Sequence, residues 1–342
     1  MSSTPLDDFL SGAGASAALG QRLERIGLGG SICGLLLAAG ILVFLAMVHR
    51  GPLQEVGVLV RLARAAGALT VIGASVEVAG AASVLGEGWF DAFGDSSAAM
   101  MRLLAGVLIA LGLCADTEPA DARGPGESSD GDRLLAEMSG PFDDQVDEIV
   151  DERLDDLEPV RWIPAAASAF GLAGAGVGVL SFGFDGHTVS KGPRLIHAAV
   201  NLVHVTAGSV WFGGIVGLVI VAFMRRRSDT TASPLVVRFS SIATLALIAV
   251  ALAGTLMSLM ITDDFGDFTG TAWGRILLVK VGAVSVAVVI GAYNHFVVVP
   301  AMDRDPDDRA TATLARRTVT AEALVLVSVA ILTVFLTTAS TN

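Results

Sequence analysis

Three histidines lie within eighteen residues, at positions 187, 197 and 204, in the stretch SFGFDGHTVSKGPRLIHAAVNLVHVTAGSVWFGGIVGLV. His197, Asn201 and His204 are spaced i, i+4 and i+7, which sets all three on one face of a helix over two turns. His187 precedes them in a loop at the same end. Neutral imidazole is a good ligand for copper, iron or zinc, and ligands are often drawn from one helix face and a neighbouring loop. The next apolar run must travel the opposite way and brings Met257 and Met260, at i and i+3, towards the same end. Thioether sulfur is soft and suits Cu(I). The candidate metal ligands are therefore His187, His197, His204, Met257 and Met260. Each has a plainer use. Methionine pairs in apolar helices commonly pack, and a single histidine in a membrane helix commonly bonds a neighbouring helix. Three histidines at one end fit that plainer use less well.

The elements that must position these residues are membrane helices. Of 342 residues, 53% are hydrophobic and 16% charged, and the mean hydropathy is +0.68. A soluble domain carries about 25% charged residues. Eight apolar runs, at 27–48, 58–86, 98–115, 162–183, 196–224, 235–262, 272–301 and 318–339, approach or exceed the roughly 20 residues of a bilayer span. None alternates with period two, so barrel strands are not expected. The expected fold class is all-α, a polytopic transmembrane helical bundle of about eight spans. The first run is expected to be retained as a helix rather than cleaved as a signal peptide. Gly and Ala recur in the runs, as in helices that pack closely in lipid. Arg225, Arg226, Arg227 and Arg238 flank one short loop, and Arg304, Arg309, Arg316 and Arg317 another. With eight spans both loops fall on one side, which the positive-inside rule makes cytoplasmic. Both termini are then extracytoplasmic, and the histidines face outward.

Three segments emerge: an N-terminal three-helix membrane part at 1–115, an acidic loop with a short amphipathic helix at 116–161, and a five-helix membrane domain at 162–342. The net charge of −12 is concentrated in the loop, where residues 116–158 hold 16 acids against three arginines. Such a segment repels nucleic acid and anionic lipid. Without His or Cys it attracts cations but does not select copper. Cys33 and Cys114 fall at opposite membrane faces, too far apart for a disulfide, and read as packing residues. Within the apolar runs Glu77, Lys280 and Glu322 are charged, and charge at that depth usually pairs or lines a wet cavity. Glu77 is the expected partner of Lys280, and Arg316 or Arg317 that of Glu322. His295 and Asn294 mark the cytoplasmic end of a path, with His49 on the same side.

From Gly186–His187, through H-x6-W-F-G-G at His204 to Gly214, W-G-R-I-L-L-V-K at Trp273 to Lys280, G-A-Y-N at Gly291 to Asn294 and the final RRTVTAEALVLVSVAIL, the chain resembles the copper resistance D (CopD) family of bacterial inner-membrane proteins. The likeness spans about 160–338, with Trp273 where the family usually has Tyr and a long acidic insertion at 116–158. It implies copper uptake or transfer across the cytoplasmic membrane, with the lipid bilayer as environment and a separate extracytoplasmic copper-binding protein as partner. Copper is the metal it implies. No P-loop, nucleophile triad or CxxC pair is present, so no enzyme is expected and any transport is passive or ion-coupled. The alternative is a b-type cytochrome or a respiratory-oxidase assembly factor, in which histidines would serve haem. The residues leave the oligomeric state open.

Overall fold

A computed structural model describes residues 5–114, 162, 164, 168–184, 193–227, 233–262, 264–305, 308–337 and 339. The acidic loop and His187 lie outside the described residues. Every regular element among those described is helical. Helix α1 (Pro5–Val43) runs into a π turn, Phe44–Val48. Helix α2 (Leu53–Leu85) stops at Gly86, whose φ of 71° is the left-handed cap that glycine adopts without strain. The short α3 (Trp89–Asp95) meets α4 (Ser97–Gly112) at a bend of 100°, where Ser96 Oγ accepts from Ala99 N–H. Next come α5 (Ser168–Ser181), with a 3-10 turn to Phe184, α6 (Arg194–Met224) and α7 (Ser233–Ile261). The short α8 (Asp267–Gly270) leads into α9 (Ala272–Tyr293), whose first turn Thr271 caps by accepting from Gly274 N–H. A second π turn, Asn294–Val298, joins α9 to α10 (Val299–Arg304), and α11 (Arg309–Thr337) ends the described chain.

Each of the eight apolar runs holds a helix among the described residues, but they are not equal. Among those residues six helices are long and apolar enough to cross a membrane alone, and α3 with α4 makes a seventh if the bent pair counts as one span. Ser168–Phe184 falls short of that length. Helices of 28–33 residues exceed a bilayer's need and must tilt or protrude.

The bundle is built around α1. Of its apolar stretch 67% is buried, against 17% for that of α7 and 11% for that of α9, so α7 and α9 present most of their surface to lipid. Glycine makes the close approach possible. A Cβ at Gly27 or Gly73 would run into the facing backbone of α2 or α1, and one at Gly40 would strike Ser209 O and Gly213 on α6. In lipid, where no hydrophobic force drives helices together, such backbone contact supplies dispersion energy that larger residues would prevent.

Charged residues tie the ends together. Glu55 of α2 accepts from Arg225 at the end of α6 through both oxygens (2.7 and 2.8 Å) and lies 2.8 Å from His49 Nε2. Arg225 also donates to Arg50 O (3.0 Å), and Arg238 of α7 donates to Val48 O (2.9 Å). These bonds gather the end of α1, the starts of α2 and α7, and the end of α6 at one face of the bundle. Arg225 and Arg238 thus meet at this face.

Two expected pairings are replaced. Glu77 does not reach for Lys280. It takes Arg102 of α4, buried with Nη2 2.6 Å from Oε1, and a longer bond from Ser31 Oγ at 3.4 Å. The reason is position: α2 packs on α1 and α4, not on α9. Glu322 is not paired with Arg316 or Arg317, because it faces inward where those arginines do not. Arg316 instead donates to Thr313 Oγ1. Cys114 is exposed rather than packed, and Cys33 is partly buried.

Candidate functional site

On α6 the i, i+4, i+7 stripe points into the protein. His197 is 1% exposed, and Asn201 donates through Nδ2 to Phe182 O at 2.8 Å, fastening α6 to the end of α5. His204, half-buried, places Nδ1 3.1 Å from Val250 O on α7. Its ring fits because Gly254 is opposite: a Cβ there would sit 2.9 Å from His204 Cε1. Lys280 of α9 is near enough to bear on His204 electrostatically. Glu77 is instead bonded to Arg102.

Val250, Gly254 and Met257 are spaced i, i+4, i+7, so the face of α7 that meets His204 carries Met257 one turn further on. Met257 packs with Phe268 against Ile261, Trp273 and Leu277. Met260 is half-buried on the adjoining turn. The structure thus brings His204 against α7 below Met257 and leaves His197 two turns away on α6. Among the described residues no three His, Cys, Asp or Glu side chains gather around one point as metal ligands would.

At the other end of the same helices lies a cavity of about 210 Å³ between α6, α7, α9 with its π turn, and α11. Its walls are mostly apolar, with Trp211, Ser240, Thr244, Asn294, His295 and Glu322 as the polar groups. The Glu322 carboxylate, 3% exposed, accepts from Trp211 Nε1–H (3.0 Å) and from Asn294 Nδ2–H (3.2 Å). Ser240 Oγ lies 2.8 Å from His295 Nδ1. Asn294 opens the π turn. An inserted residue of this kind redirects side chains and recurs at functional sites. Gly291, one turn earlier, leaves room for the carboxylate: a Cβ there would lie 3.4 Å from Glu322 Oε1.

The trio Trp211, Asn294 and Glu322 was not recognisable as a unit from spacing, since its members lie on three helices and Trp211 is 111 residues from Glu322. A signal was present nonetheless. Trp211 stands in W-F-G-G, Asn294 in G-A-Y-N and Glu322 in the final helix, the very segments that carry the family likeness.

A haem between two histidines does not fit the described geometry. His204 bonds α7 at Val250, and His295 bonds it at Ser240. Ten residues of helix separate the two levels by roughly 15 Å. His49 lies at the Arg225 face.

Residues 233–336, which hold α7 to α11, match the family model described as Copper resistance protein D. The chain is similar to the inner membrane protein YebZ of Escherichia coli (strain K12), with 32% identity over 131 residues, 38% of this chain and 45% of that protein. It is also similar to the copper transport protein CutJ of Bacillus subtilis (strain 168), with 32% identity over 120 residues, 34% of this chain and 22% of that one. The matches span less than half the length of either relative. No solved structure matches the chain. The resemblance read from the motifs of α9 and α11 is met by the family match. With six helices long and apolar enough to cross a membrane among the described residues, the protein is a multi-pass membrane protein whose residues 233–336 are similar to copper resistance protein D.

Proposed function

We propose that the protein passes copper across the cytoplasmic membrane along the seam between α6, α7 and α9. The observation that carries this reading is the distribution of donors along that seam. His204, on α6, bonds α7 near one end, and the polar cavity around Glu322 lies near the other, within or against the family-matched helices. His187, His197 and His204 serve as outer ligands, and Met257 and Met260 offer a softer site for Cu(I) beside them. The arginine-rich face is the cytoplasmic one, which places both termini outside. A separate extracytoplasmic copper-binding protein delivers the ion. The domain boundaries follow the same plan, with 1–115 as the supporting membrane part, 116–161 as an acidic cytoplasmic loop and 162–342 as the copper-handling part. The protein performs no covalent chemistry on its cargo.

The test is copper accumulation in cells expressing the wild type or His204→Ala, with metal content and a visible spectrum of the purified protein. Loss of accumulation in the variant supports the reading. Equal accumulation by the two proteins, or a Soret band from bound haem, overturns it.

A further inference from the structure

The Glu322 cavity has an unusual balance of donors and acceptors. An ionised carboxylate can only accept hydrogen bonds. The side of Asn294 turned to Glu322 must therefore be its NH2, which leaves Oδ1 directed away from the carboxylate. That oxygen has no hydrogen-bond partner among the described residues, although Asn294 is only 8% exposed. A buried amide oxygen without a partner loses the hydration it had in water, which is costly. Glu322 itself meets only neutral donors, Trp211 and Asn294, with no ion pair among the described residues. A carboxylate in a bilayer span, bonded only to neutral groups, lacks a counter-charge.

These groups face the same space. Asn294 and Glu322 line the otherwise mostly apolar cavity of about 210 Å³ together with Ser240, Thr244 and His295, an exposed residue whose Nδ1 lies by Ser240 Oγ. One water occupies about 30 Å³ of liquid, so the space admits an ion that keeps part of its hydration. Oxygen and imidazole donors suit a divalent cation rather than Cu(I), which prefers sulfur.

We infer that Glu322, Asn294 Oδ1 and His295 form an inner cation site that takes a divalent ion, Cu(II) among them, in the half of the bundle opposite His197. This inference rests on the copper reading for the identity of the ion, but not on the outer ligands. Trp211 is a positioning residue, holding one carboxylate oxygen so that the remaining lone pairs face the cavity. The π turn has the corresponding task for Asn294.

The site is tested on the full-length protein purified in detergent, by equilibrium dialysis against Cu(II) and by electron paramagnetic resonance. Glu322→Gln keeps the size and the acceptor but removes the charge, and should lose one equivalent of Cu(II). His197→Ala/His204→Ala should retain that equivalent. His295→Ala should remove nitrogen coupling from its spectrum. Asn294→Asp adds a charged oxygen ligand, and Cu(II) should raise the melting temperature of this variant more than that of the wild type. This readout applies even if Glu322→Gln fails to fold. Equal Cu(II) stoichiometry and affinity in Glu322→Gln and the wild type, or no added stabilisation of Asn294→Asp, overturns the inner site. If the double histidine variant binds as much copper as the wild type while Glu322→Gln loses an equivalent, the inner site stands and the outer-ligand reading fails.

Discussion

Arg225, at the end of α6, holds the carboxylate of Glu55, at the start of α2, through two parallel hydrogen bonds of 2.7 and 2.8 Å. Both side chains are nearly fully buried, at 8% and 4% exposure, and His49 closes the cluster from α1. Gly51 is required beside them, since a Cβ there would meet the Arg225 guanidinium and the Glu55 carboxylate. Removing one member of a buried pair leaves the other charge without compensation, at a cost of about 3–5 kcal/mol. Arg225→Ala and Glu55→Gln should therefore lower the melting temperature in detergent sharply and reduce the amount recovered. If either variant melts with the wild type, the bidentate pair contributes nothing to stability.

The ion pair of Glu77 and Arg102 gives a different expectation. Buried pairs can often be replaced by apolar residues of similar volume without loss. Glu77→Leu alone should destabilise the α2–α4 contact, because it removes the carboxylate bonded to the Arg102 guanidinium. Glu77→Leu/Arg102→Leu should recover much of that loss. A double variant as unstable as the sum of the singles would indicate bonds to Ser31 or other neighbours of greater weight than the pair.

Gly254 provides an indirect test of the outer site. A Cβ at this position would lie 2.9 Å from His204 Cε1, so Gly254→Val should push the imidazole off the Val250 carbonyl. Copper accumulation should fall to the level of His204→Ala, while the protein remains folded by circular dichroism. Normal accumulation in Gly254→Val would separate the ring's position from function.

If His204 takes a cation as proposed, a charged Lys280 opposes it, because like charges repel most where water is excluded. Lys280→Met should tighten copper binding at the outer ligands by roughly tenfold, equivalent to about 1.4 kcal/mol of relieved repulsion. Dialysis of the purified variant reads this directly. Weaker binding in Lys280→Met would show that the lysine supports the site rather than opposing it.

Asp308 starts α11, outside the span. Its carboxyl is held below the usual carboxylate range, first by the Thr311 hydroxyl and then by the N–H groups of Ala310 and Thr311. A lowered value means that the folded state favours the ionised form. The stabilisation is present above the unfolded carboxylate range and is lost as pH falls through the folded value. Hydrogen exchange at Ala310 and Thr311 should be faster in Asp308→Ala than in the wild type at neutral pH. The two should converge in strong acid. A pH-independent difference would remove the carboxylate from the explanation.

Much of this architecture could be read from residue patterns, and the misreadings have physical causes. Every apolar run holds a helix among the described residues, because hydrophobic blocks leave the backbone no better way to satisfy its hydrogen bonds in lipid. The last run was expected from 318, yet α11 begins at Arg309. Arg309, Arg316 and Arg317 look like loop residues in sequence, but long basic side chains at a helix end can reach water while the backbone stays helical. The histidine stripe on α6 was legible because it repeats within one helix. The trio around Glu322 depends on a π turn and on three helices meeting, and local spacing encodes neither. Arg102 was missed for a similar reason. A single arginine in an apolar run marks a partner only once α2 is known to lie beside α4.

The central place of α1 carries a consequence for how the protein is made. Among the described helices it is made before the others, yet its Gly40 surface is covered only when Gly213 of α6 arrives, and its Gly29 surface packs on Val334 of α11. A nascent chain must therefore hold these two faces open to lipid until α11 is synthesised. Truncation after α4 would leave both faces bare, a ready substrate for membrane quality-control proteases.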